Sequence, residues 1–126
     1  MLKLNNYFDI KWLVLAVTFT AIVLVLTHIP QEFMPSQLLK SGLDKLQHVV
    51  AYGTITFLFI LSVKSPPTLY SAVLILFVLV AIGIVDEFTQ PLVNRQASLT
   101  DLMADAIGVV AVLLVFIIGK HQFQKN

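Results

Sequence analysis

The chain has 126 residues, of which 58% are hydrophobic and only 12% charged, and its formal net charge is +1. So apolar a chain is not disordered, a soluble domain would carry about 25% charged residues, and the near-neutral balance excludes a nucleic-acid footprint. It has no cysteine, which excludes a disulfide-held mini-protein, a zinc ribbon and a thiol redox enzyme. The class left is a small integral membrane protein with one domain over residues 1–126.

Four long apolar runs follow in chain order: Trp12–Ile29, Leu46–Val63, interrupted by His48, Leu69–Val85, and Met103–Gly119, with Asp105 near its start. Each is about 17 to 18 residues, near the lower limit for crossing a ~30 Å hydrocarbon core. Open strands would leave backbone groups unsatisfied in lipid, so the runs are helices. A soluble bundle of four such runs would have almost no polar face. The first run has a basic flank in Lys3 and Lys11. No small-x-small cleavage site follows it, so it is expected to remain as a permanent helix. Pro30, Glu32 and Pro35 then stop it. Lys64, Ser65, Pro66 and Pro67 make a connection short enough to force a tight hairpin between the second and third spans. The expected fold is all-α, an integral membrane four-helix bundle. Its helices cover about 12–29, 46–63, 69–90 and 101–119.

An even number of spans puts both termini on one side. Lys3, Lys11, Lys64, Lys120 and Lys125 fall on that side, against Lys40, Lys45 and Arg95 on the other. The positive-inside rule makes both termini cytoplasmic. The acids divide the other way. Asp9 alone falls with the termini, while Glu32, Asp44, Asp86, Glu87, Asp101 and Asp105 gather at the opposite end. The two polar loops, 30–45 and 86–102, therefore share one face.

Two segments carry the polar residues. In the first, Asp44, His48 and Tyr52 stand at i, i+4 and i+8, down one helix face. Asp44 lies near the helix start, where a carboxylate meets free N–H groups and the positive dipole end. Thr56 and Ser62 roughly continue that side. Tyr52 and these hydroxyls are expected to hydrogen-bond between helices, and Glu32 and Lys40 to be solvated loop charges. In the second segment, Asp86 and Gln90 share a face if the third helix reaches Pro91. Asp101, Asp105 and Gly108 share a face of the fourth helix, with Ser98 or Thr100 as its cap. Gly108 lets a neighbouring helix approach closely.

Ionisable groups inside a membrane are costly and face the bundle interior, so His48 and Asp105 should point inward. Asp101 and Asp105 repel each other. Arg95, Lys45, a protonated His48, a shared proton or a metal ion must compensate. As a structural lock, buried pairs would fix how the hairpins pack, with Arg95 as the tie. As a site, the cluster would take a substrate or an ion. Asp86, Glu87, Asp101 and Asp105 are hard oxygen donors suited to Mg²⁺, Ca²⁺ or Mn²⁺, although no metal motif of specific spacing is present. Acid–base chemistry would pair His48 with Asp86 or Asp105, and His48, Asp86 and Glu87 are the catalytic candidates for acid–base or metal-assisted chemistry. No nucleophile elbow, phosphate loop or zinc motif appears, and no cofactor is implied. The two halves are loosely alike, with Asp44/His48 corresponding to Asp101/Asp105.

The order D-K-x-x-H-x-x-x-Y, then D-E-x-x-Q-x-x-x-x-R-x-x-S-x-x-D-x-x-x-D-x-x-G, resembles the VanZ-like family of bacterial membrane proteins. The likeness runs from about residue 12 to 118. It puts Asp44, Lys45, His48, Tyr52, Asp86, Glu87, Gln90, Arg95, Ser98, Asp101, Asp105 and Gly108 at the family's motif positions. Thr27-His28-Ile29-Pro30 also fits, because the first helix of the family tends to end in H-x-P. The chain departs from the pattern at Val112, where a second glycine is common, and at Asp105, where asparagine often stands. The resemblance implies a multi-pass protein of the bacterial cytoplasmic membrane with a cell-envelope role, associated in the name member with teicoplanin resistance. It does not imply a reaction.

Three functions follow, with the outward-facing polar and acidic cluster as the site. The first is binding of a membrane or envelope lipid, a cell-wall precursor or a glycopeptide. The second is an embedded enzyme modifying a lipid-linked headgroup. The third is a small proton-coupled transporter with the acids as a relay. The sequence does not establish an oligomer.

Overall fold

The computed structural model describes residues 7–35, 41–64 and 68–123. Four helices carry the fold: α1 (Ile10–Thr27), α2 (Ser41–Ser62), α3 (Leu69–Thr89) and α4 (Leu99–Phe123). Short 3-10 turns follow α1 at Gln31–Phe33 and α3 at Gln90–Val93. All four helices are long and apolar enough to cross a membrane. Among the described residues the only β pairing is an isolated bridge between Phe8 and Val63.

Local chemistry sets the helix ends. Asp9 caps α1 by accepting the Lys11 N–H at 3.0 Å. The Asp9 N–H in turn donates to the Ser62 carbonyl at 2.8 Å, and the Lys64 N–H to the Tyr7 carbonyl at 3.0 Å. These bonds fasten the start of α1 to the end of α2. α1 therefore starts before residue 12. It also stops at Thr27, not at Ile29, because the His28 N–H turns back to Val25 O at 3.2 Å and Pro30 offers no donor. α2 begins at Ser41, not at 46. Its charged first turn reads as loop in the sequence, yet Asp44 there complements the helix dipole. Thr68 and Ser71 form a reciprocal capping box on α3. α4 starts at Leu99 and runs on to Phe123, beyond residue 119.

α4 packs against both α2 and α3, and α1 lies along α2. α2 and α3 are consecutive but meet little. The hairpin expected between them falls at Ser65, Pro66 and Pro67, outside the described residues. So do Lys3, Lys40 and Lys125, and the Lys120 side chain, which entered the charge count. The apolar core holds Val23, Ile55, Ile60, Leu79, Val109 and Leu113. Large apolar side chains also cover the outside: Phe77 is 74% exposed and Val115 69%. In water such a surface would aggregate, while lipid tails would solvate it.

Gly108 marks a close approach of two helices. A Cβ there would lie 2.3 Å from the Val49 carbonyl oxygen and 3.0 Å from the Gly53 nitrogen. The backbones of α2 and α4 touch at this point, as the sequence predicts. His48 lies one residue before Val49, and Asp105 one turn before Gly108, so the contact brings these two side chains together.

Candidate polar site at one end of the bundle

The C-terminal ends of α1 and α3 and the N-terminal ends of α2 and α4 meet at one end, and Asp44, Lys45, Glu87, Ser98 and Asp101 lie there with them. On α2, Asp44 lies at the rim, and His48 and Tyr52 are buried below it. Lys45 forms ion pairs with Asp44, at 3.1 Å, and with Asp101. His48 Nδ1 stands 2.8 Å from Asp105 Oδ1, and its Nε2 3.8 Å from Asp101 Oδ2. Inward placement of His48 and Asp105 agrees with the cost of ionisable groups in lipid. Of the two acids offered to His48 by the sequence, Asp105 is the partner.

Asp86 serves a different purpose. It is 2% exposed, and its two oxygens are occupied. Oδ1 accepts from Thr27 Oγ1 at 2.7 Å and lies 3.3 Å from His28 Nδ1. Oδ2 accepts from Gln90 Nε2 at 3.2 Å. Gln90 is one turn on, so the expected shared face is present. His28 also reaches Leu24 O through Nδ1 at 2.8 Å and Thr89 Oγ1 through Nε2 at 2.9 Å. Because a carbonyl only accepts, the Nδ1–H donates to Leu24 O. Asp86, Thr27, His28 and Thr89 thus pin the end of α1 to the end of α3.

Glu87 Oε2 accepts the Ser98 N–H at 2.6 Å. Ser98 is the α4 cap, with its Oγ accepting the Asp101 N–H at 3.3 Å. Glu87 therefore orders the turn before α4. Asn94, in the left-handed region at φ 57°, closes the 3-10 turn after α3, a conformation asparagine tolerates.

Two expectations are corrected. Arg95 is not the tie between the hairpins: it makes no ion pair with any described acid, and Lys45 takes that role. Nor do Tyr52 and the hydroxyls of α2 bond across helices. Thr56 donates to Tyr52 O and Ser62 to Phe59 O, both within their own helix. The Tyr52 hydroxyl is buried without a partner. Glu32 is exposed, as expected. Thr27 and Thr89 were missed, and His28 was noted only as part of a family pattern. The available signal was a Thr-His pair ending an otherwise apolar span.

Beside this polar end a cavity of ≈ 530 Å³ opens between α1 and α2. Phe19, Ile22, Val23, Leu26, Val50 and Ala51 make its apolar wall, and Thr27, Asp44, Gln47, His48 and Arg95 its polar part. Its volume falls within the range of ordinary ligand sites, about 300–1,000 Å³.

No family model, curated protein or solved structure matches the chain.

Proposed function

We propose that this chain is a VanZ-like protein of the bacterial cytoplasmic membrane that binds an amphipathic cell-envelope molecule: an envelope lipid, a lipid-linked cell-wall precursor or a teicoplanin-type glycopeptide. The cavity between α1 and α2 carries the reading. Its wall of Phe19, Ile22, Leu26 and Val50 suits an acyl chain. Its polar part suits a headgroup, and Arg95 there is unpaired among the described residues. A guanidinium recognises phosphate or carboxylate with two parallel hydrogen bonds, so the headgroup is anionic at the point where it meets Arg95. Both termini are cytoplasmic and the polar end faces outward, where cell-wall precursors and glycopeptides meet the membrane. Lys11 and Lys64 at the opposite end support that orientation.

Native mass spectrometry of the protein released from detergent tests the binding. The wild type is expected to retain an anionic lipid, and Arg95→Ala to lose the preference for anionic over neutral headgroups. Equal retention of both lipid classes by the wild type would refute the headgroup assignment. Teicoplanin susceptibility of a sensitive Gram-positive host, with vancomycin for comparison and membrane levels matched, separates the ligands. Protection by the wild type that disappears in Arg95→Ala assigns the glycopeptide, and its absence at full expression removes it.

A further inference from the structure

One buried polar group joins three helices. His48 of α2, Glu87 of α3 and Asp105 of α4 are all buried, and one donor atom from each lies within 4.8 Å of the others. Donors around a cation with bonds of about 2.0–2.2 Å stand roughly 3–4 Å apart, so a small inward adjustment closes a coordination shell. Both carboxylates are more than nine-tenths buried, which is costly without a countercharge. Each has one oxygen engaged: Asp105 Oδ1 with His48, and Glu87 Oε2 with the Ser98 N–H. The other two, Asp105 Oδ2 and Glu87 Oε1, are buried without a hydrogen-bond partner.

Tyr52 gives an independent sign. The residue is 1% exposed and its hydroxyl has no partner. A Cβ on Gly83 would lie 3.4 Å from that hydroxyl and 3.2 Å from Asp105 Oδ2. The Tyr52 hydroxyl and Asp105 Oδ2 thus both lie against the bare Gly83 backbone, with no side chain of that residue between them. Buried polar atoms without partners are rare in native proteins and call for an occupant.

We propose that His48, Glu87 and Asp105 bind one divalent transition cation of the Zn²⁺ or Mn²⁺ type, with the Tyr52 hydroxyl as a further donor. One imidazole with two carboxylates favours these ions over Mg²⁺ or Ca²⁺, which prefer oxygen alone. The two carboxylates balance the ion's charge. With Nδ1 on the metal, His48 keeps Nε2–H directed toward Asp101, 3.8 Å away, and Lys45 holds Asp101 in turn. A carboxylate behind a ligating histidine is the usual outer support of such sites. Lys45 already pairs with both Asp44 and Asp101, so the neighbouring group of Asp44, His48 and Asp101 has a cation of its own. The inference does not rest on the lipid proposal, because the cation would bind whatever fills the cavity.

The test uses the full chain in detergent, stripped with chelator and dialysed against Zn²⁺, Mn²⁺ or Mg²⁺ separately. Elemental analysis is expected to find about one Zn²⁺ or Mn²⁺ per chain and no Mg²⁺, with a raised melting temperature in the loaded protein. Glu87→Gln retains an oxygen for the Ser98 amide, and its helicity is checked by circular dichroism. It should weaken binding by about tenfold or more. Tyr52→Phe should weaken it by a smaller factor, and Asp44→Asn should not change it. A folded wild type that takes up no Zn²⁺ or Mn²⁺ overturns the proposal and leaves protons as the only countercharge. So does a Glu87→Gln variant that binds as tightly as the wild type.

Discussion

Replacing Gly108 with alanine adds one methyl group where α2 and α4 touch. That carbon would lie 2.3 Å from Val49 O and 3.0 Å from Gly53 N, both backbone atoms of a helix. Neither can swing aside as a side chain would. Ordinary contact begins near 3.4 Å, so the two helices must separate by about 1 Å. Overpacking of this kind costs about 1–3 kcal/mol. The same separation pulls His48 Nδ1 from Asp105 Oδ1, now 2.8 Å apart, toward or beyond hydrogen-bond range. Gly42→Ala is the control, since nothing lies within 4 Å of its added carbon. There the change should be neutral or stabilising by up to about 1 kcal/mol, because alanine favours the helix. Unfolding of both variants in mixed micelles, followed by circular dichroism, gives the comparison. A Gly108→Ala variant as stable as Gly42→Ala would refute the helix contact and with it the placement of the polar site.

Other substitutions separate residues that hold the fold from those that meet a ligand. Asp86→Asn turns one acceptor oxygen into a donor that faces Thr27 or Gln90, and thermal unfolding should show a loss of about 1–3 kcal/mol. Thr27→Val removes the hydroxyl that crosses from α1 to Asp86, and should cost about 1.5–3 kcal/mol in the same assay. Lys45→Met leaves Asp44 and Asp101 without their cation, and because the lysine and Asp44 are partly exposed its loss should be about 1–3 kcal/mol. Arg95→Ala should leave unfolding within about 0.5 kcal/mol of wild type. An equally large loss there would mean that Arg95 is a structural tie after all.

Helix number and type were legible in the sequence because four apolar runs near membrane length leave few alternatives. The polar end was legible as well. The spacing of Asp44, His48 and Tyr52, and of Asp101, Asp105 and Gly108, sets their helix faces whatever the packing. Which acid meets which base was not legible. Asp86 and Asp105 lie at similar depth, and only the Val49–Gly108 contact decides that His48 reaches Asp105. Arg95 was misread for a related reason. A guanidinium among acids suggests pairing, but its loop position carries it to the cavity wall, while the shorter route from α2 to α4 goes to Lys45. Hydroxyls in helices were expected to bond across, yet their own carbonyls one turn back are nearer. The cavity itself was invisible, because it depends on how far α1 stands from α2.

The central claim is that the cavity between α1 and α2 takes the tail of an anionic amphipathic molecule. Photo-crosslinking with a phosphate-headed lipid bearing a diazirine on its acyl chain tests it directly, with adducts mapped by peptide mass spectrometry. Adducts are expected to concentrate on Phe19, Ile22, Leu26 and Val50, and to be lost when Ala51→Phe fills the space. Adducts spread evenly over the exposed apolar exterior, as at Phe77, Phe88 and Val115, and unchanged by that substitution, would contradict it.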